Sequence, residues 1–249
     1  MIKQNFILSI CLVLSCLIGC VSKNNEAITG IKITENFPTI GTKGKLLGYD
    51  TFSTRIYYHK NQVLYHSAYH FDSADGGRLL TSGMRDYFFV YNKDNSFGLF
   101  FDSAKNIIGK KLLVDSVIKK EWINNIDIYQ GYNTSTLKPL PNNETPKPGT
   151  VFKTYAFHST RDTGLSGVFN YWFSNKLDHV TYSFSKELDS IHKMKLYKII
   201  IKNNALYFRD YGFSLDPVEQ YFEIEEIAIL NKPELMKYFE KEEKYFKKE

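Results

Sequence analysis

From Arg55 to Leu230 the sequence keeps returning to short runs in which aromatic or β-branched residues alternate with polar ones. Side chains along a strand point to opposite faces in turn, so each run describes a strand with one face buried. Arg55 to Asp72 holds two such runs around Lys60-Asn61, which reads as a hairpin. Further runs are Tyr87 to Tyr91, Phe97 to Phe101, Lys111 to Ile118 and Ile126 to Tyr129, with Asn92 to Asn95 as a turn. After a stretch carrying Pro139, Pro141, Pro146 and Pro148 the pattern resumes. It continues at Val151 to Phe157, Val168 to Phe173, Val180 to Phe184, Leu196 to Ile201, Ala205 to Tyr211 and Tyr221 to Leu230. Roughly ten to twelve strands are expected, forming a mainly β fold: an antiparallel curved sheet, half-barrel or sandwich. Pro233, with Leu235, Phe239 and Phe246 at helical spacing, predicts a C-terminal amphipathic helix.

Composition agrees with a packed body. Of 249 residues 43% are hydrophobic and 24% charged, which excludes a disordered chain, a collagen-like repeat and a multi-span membrane protein. The formal charge of +5 gives no reason to expect a nucleic acid partner. The 18 Tyr, 19 Phe and 2 Trp could line a cavity for sugar or apolar cargo, or fill the core. Aromatics favour strands and supply buried area, so the core is the expected destination.

The three cysteines, Cys11, Cys16 and Cys20, all lie in the first twenty residues. Lys3 precedes an apolar stretch from Phe6 to Gly19, too short to span a bilayer as a helix, which reads as a secretory signal. It ends Leu17-Ile18-Gly19-Cys20, which resembles the lipobox of bacterial lipoproteins. That resemblance implies removal of residues 1–19, lipidation of the Cys20 thiol and acylation, as with palmitate, of the new amino group. A thiol is required because its thiolate is the nucleophile that takes the lipid. Cys11 and Cys16 would leave with the signal, so the core must hold without disulfides. Val21 follows the cysteine, and no Asp there suggests inner-membrane retention, so an outer-membrane anchor is expected, on the periplasmic or surface face. Residues 20–47 then read as lipidated Cys and tether, and 48–249 as the β-rich body, with the Pro-rich loop at 137–150 a candidate boundary between two lobes. Gly164-Leu165-Ser166-Gly167-Val168 also resembles the signature of the GLPGLI family, β-rich secreted proteins of Bacteroidetes, with Ser166 in place of its proline. That resemblance implies a β fold and no particular activity.

Candidate chemistry is sparse. His66 and His70 share a strand face with Asp72, a zinc-like set, but four residues of extended strand separate the imidazoles by about 13 Å. One ion would need the strand to bulge, so no metal and no cofactor are expected. Glu223 and Glu225 share a face at about 7 Å, near the spacing of inverting glycosidases, but an edge strand bearing alternating Glu is the simpler reading. His158, Arg161 and Asp162 cluster in a loop, where His158 and Asp162 are candidate ligand contacts. Asp72-Ser73-Ala74, Asp102-Ser103-Ala104, Asp115-Ser116-Val117 and Asp189-Ser190-Ile191 resemble the Asp-Ser/Thr-aliphatic acceptor of Bacteroidetes O-glycosylation. Ser73 and Ser103, near turns, are the candidate acceptors. The expected function is a non-enzymatic, membrane-anchored binding or accessory module for an apolar lipid, glycan or envelope protein partner. The alternatives are an envelope hydrolase using cleft carboxylates or histidines, and a structural or immunity-type interaction protein.

Overall fold

The computed structural model describes residues 27–75, 78–102, 109–118, 137–141, 147–158, 165–208 and 212–247, with backbone alone at 69–75, 78–82, 208 and 213. The first half contributes β1 (Thr29–Ile40), β2 (Leu46–His59), β3 (Gln62–Asp75), β4 (Arg78–Asn92), β5 (Phe97–Asp102), β6 (Lys110–Leu113) and a short helix α1 (Val114–Ile118). The second contributes β7 (Lys138–Leu140), β8 (Thr150–His158), β9 (Ser166–Ser174), α2 (Lys186–His192), β10 (Lys195–Asn203), β11 (Leu206–Phe208), β12 (Phe213–Leu215), β13 (Val218–Glu226) and α3 (Lys232–Phe246).

Eleven strands form one antiparallel sheet in the order β6-β5-β4-β3-β2-β1-β13-β10-β9-β8-β7, which does not close into a barrel; β11 and β12 form a separate hairpin. The chain walks outward from β1 to β6, restarts at the opposite edge with β7, and walks inward to β13. The first and last strands therefore meet mid-sheet, in register from Ile31↔Glu226 to Asn36↔Tyr221. Both edges are blunted. β6 is four residues carrying Lys110 and Lys111, and β7 is three residues with Pro139, which has no N–H to offer a neighbour.

Each strand divides its residues between two faces. On the core face Ile33, Ile56, Phe89, Tyr171, Phe173 and Ile199 are almost completely buried. Val114 and Val117 of α1 and the segment Leu177–Leu188 cover them. Aromatic rings meet one another here, as Phe157 meets Phe169 at 4.6 Å and Phe169 meets Tyr171 at 5.6 Å. The outer face splits. Over β2 to β5, Leu64, Phe88, Val90 and Phe101 pack beneath Leu235 and Phe239 of α3. Over β1, β13 and β10 it carries a ladder of ion pairs: Lys32–Glu225 at 3.8 Å, Lys198–Glu223 at 3.1 Å and Lys202–Glu219 at 3.3 Å. Trp172 lies on this face beside Phe152, centroids 4.8 Å apart, while its neighbours Tyr171 and Phe173 point into the core.

Four expectations change. The packed body begins within the expected 20–47 tether, because Ile28, Ile31 and Ile33 are buried and β1 starts at Thr29. Lys111 to Ile118 is not one strand: pairing stops at Leu113, and Val114, whose N–H donates to Ser96 O at 2.9 Å, starts a helical turn. Val180 to Phe184 is irregular chain, with four of its five residues buried and no sheet partner in the described register. β13 is a central strand between β1 and β10, not an edge, so its glutamates answer lysines rather than guard against aggregation. Ile126 to Tyr129 lies outside the described residues.

Candidate functional site: the cleft under the terminal helix

A recess of about 630 Å³ lies where α3 crosses two turns of the sheet. The β2–β3 turn supplies His59, Lys60, Asn61 and Gln62; the β4–β5 turn supplies Asn92 and Asn95. Lys60 takes a left-handed backbone with φ 53° to make the first turn. The two turns are tied to each other: Lys93 N–H donates to Asn61 O at 2.9 Å, and Asn61 Nδ2 donates to Asn92 Oδ1 at 3.0 Å.

α3 closes the cleft with Met236, Phe239, Glu240, Glu243 and Phe246, and Lys247 follows at its C-cap. Asn231 holds the N-cap position, its Nδ2 donating to the Glu234 side chain at 2.8 Å, and Pro233 sits in the first turn where no helical N–H is needed. Leu235 and Phe239 are buried against the sheet, Phe239 packing on His59 at 5.3 Å. Tyr238 stacks on Phe88 at 4.3 Å. The next position in this stripe is a carboxylate. Glu242 is only 2% exposed. It accepts from Gln62 Nε2 at 2.7 Å, Asn92 N–H at 3.2 Å and Asn95 Nδ2 at 3.4 Å, so its burial is matched by donors from both turns. Gln62 Nε2 also donates to Phe239 O at 3.0 Å.

None of the residues that the sequence offered as candidate chemistry lines this cleft. His66 projects from the outer face of β3; its Nε2 lies 2.8 Å from Asp86 Oδ1 and its ring stacks on Phe88 at 4.4 Å. His70 has its backbone opposite Met84 in a regular register, and the only shift in the β3–β4 pairing falls at Ser73/Ala74. The bulge that would let both imidazoles reach one ion is therefore not formed between them. No group of three metal-ligating side chains gathers among the described residues. Glu223 and Glu225 sit in the ion-pair ladder with Lys198 and Lys32. His158 ends β8 opposite Ser166 and is exposed, whereas Arg161 and Asp162 lie outside the described residues. Cys20 and Ser103 also lie outside them. Ser73 has its backbone in β3 opposite Thr81. Of the other acceptor-like sequences, Asp115-Ser116-Val117 is in α1. In α2, Asp189 takes hydrogen bonds from Ser183 Oγ, Lys195 Nζ and Leu196 N–H at 2.7 to 2.8 Å, a structural role.

One titratable group on the core face is unusual. Glu35 of β1 lies directly opposite Phe52 of β2 and Phe222 of β13, and burial alone raises its carboxyl to about 7. The same carboxylate, after burial itself, helps push the Tyr182 phenol up.

No family model matches the sequence, and no curated protein matches it at a significant level. Asn61, Asn92 and Asn95 read in sequence only as turn residues, Gln62 as part of a strand run, and Glu242 only as helix charge. The legible signal was the spacing Leu235, Phe239, Glu242 and Phe246, which puts a carboxylate inside an apolar stripe.

Proposed function

We propose that the chain is a lipid-anchored envelope protein, held at the outer membrane through Cys20, whose β body is a non-catalytic binding or accessory module. The observation that carries the binding part is the cleft under α3, a preformed recess whose wall is fixed by the buried Glu242 and lined by convergent polar groups. The size is that of a small-ligand site, for which about 300–1,000 Å³ is usual. The engagement of His66 with Asp86 and of Glu223 with Lys198 supports structural roles for the residues a hydrolase would have used.

The anchor is tested by metabolic labelling with an alkyne fatty acid. Wild-type protein should carry label and fractionate with outer membranes, and Cys20→Ala should lose both; label persisting in the variant refutes the reading. A second reading, a protein-interaction role, is favoured by Ile40, Leu47, Tyr49 and Phe52, all exposed toward the far end of β1 and β2. Photo-crosslinking from position 47 should then capture one dominant envelope protein, whereas a diffuse smear would argue against it.

A further inference from the structure

We propose that the cleft between α3 and the two turns is a carbohydrate site that takes a segment of neutral polysaccharide. This deepens, and rests on, the binding-module reading above. Four amides converge on the cleft, and each spends one end on the protein. Asn61 Nδ2 is held by Asn92 Oδ1 and Asp94, Gln62 Nε2 by Phe239 O and Glu242, and Asn95 Nδ2 by Glu242. Asn92 Oδ1 accepts from Asn61 and from Asp94 N–H. The opposite ends are then oriented in advance: carbonyl oxygens of Asn61, Gln62 and Asn95, and the Nδ2 of Asn92. Sugar hydroxyls both donate and accept, so a fixed mixture of acceptors and a donor suits them, and holding the amides beforehand lowers the entropy cost of binding.

Charge points the same way. Glu240 and Glu243 face Lys60 and Lys247 around the rim while Glu242 lies buried in the wall, and Glu243 is already paired with Lys247 at 2.6 Å. A recess with three carboxylates and two ammonium groups selects neither a polyanion nor strongly a cation. Met236 and Phe246 supply apolar surface for the C–H faces of sugar rings. A peptide is the less favoured occupant. The turn backbones that would extend a strand are already used, Asn61 O by Lys93 N–H and Asn92 O by Asn95 N–H, both at 2.9 Å.

The test titrates the mature lipidated protein in detergent with neutral hexasaccharides of the malto, cello, xylo and chito series. A hexagalacturonate and an uncharged hexapeptide serve as comparators. At least one neutral hexasaccharide should bind. Asn95→Ala should weaken it about tenfold, as expected for a lost hydrogen bond in a desolvated site. The exposed Glu240→Ala leaves the wall intact and should weaken binding several-fold if Asn95→Ala proves unstable. Glu225→Ala on the ion-pair ladder should bind as wild type. Absence of binding by every neutral sugar, or preferential binding of the peptide or hexagalacturonate, overturns the proposal. Equal affinity in Asn95→Ala, or in Glu240→Ala where that variant is used instead, overturns it as well. Acyl labelling of the same preparations keeps the two claims separate: labelled protein that ignores sugars sinks only the carbohydrate site, and unlabelled protein sinks the anchor whatever the titration shows.

Discussion

Glu35 is half-buried on the core face of β1, opposite Phe52 and Phe222, and its proton makes that position tolerable. With the carboxyl raised from 4.5 to about 7 in the fold, folded protein holds the proton more tightly than unfolded chain. The stabilising contribution is complete below about pH 4.5 and is lost as pH climbs through about 7. At alkaline pH the ionised form costs roughly 3 kcal/mol by that displacement, an upper figure because the side chain keeps some solvent contact. Glu35→Gln should therefore raise the urea midpoint at pH 8 and leave it nearly unchanged at pH 5. An equal gain at both pH values would show that packing, not ionisation, is responsible. The position was not legible beforehand. Glu35 lies in the expected tether, and a carboxylate facing Phe222 requires a pairing between residues nearly two hundred positions apart.

Among the elements, α3 is the one whose docking is specified by a polar contact. Replacing Glu242 by Ala would leave Gln62 Nε2, Asn92 N–H and Asn95 Nδ2 without their buried acceptor, at a cost of about 2–3 kcal/mol. Hydrogen exchange should show α3 and the two turns losing protection together, ahead of β9 and β10. Retained protection in α3 would mean that Leu235 and Phe239 suffice. At the other short helix, Lys193 caps α2 with a left-handed φ of 51°, where glycine pays no Cβ penalty. Lys193→Gly should raise stability by about 0.5–1 kcal/mol, read as a higher thermal midpoint. α3 and the hairpin at Lys60-Asn61 were legible because periodicity and turn chemistry act locally. α1 was not: five residues hold barely one helical turn, and Val114, Val117 and Ile118 carry a strand-like composition that tertiary packing overrides. The cleft escaped for a related reason, since Asn61, Asn92 and Asn95 are the residues any turn would use.

At the scale of the molecule, the two meanders share one core face. Ile31 and Ile33 from β1 pack in the same cluster as Ile199, Phe222 and Ile224 from β10 and β13. Ile224→Ala should cost about 2–4 kcal/mol by opening a cavity at this seam. Tyrosine signals from both halves should move in a single transition, and two separated transitions would show that the halves are independent. The strand content and the mainly β class were visible in the alternation of apolar and polar residues. The order of strands was not, because nothing local tells β1 that its second neighbour is β13.

That order has a consequence for how the chain is made. Among the described strands β1 is synthesised first, yet the strand that covers its second edge is synthesised last. Until Val218–Glu226 emerges, the N–H and C=O groups along Ile31–Asn36 have no sheet partner on that side, and Ile31 and Ile33 lack half of their cover. Pairings this distant in sequence also close slowly. The nascent protein therefore travels with an open seam through its middle, and the last strand to arrive is the one that shuts it.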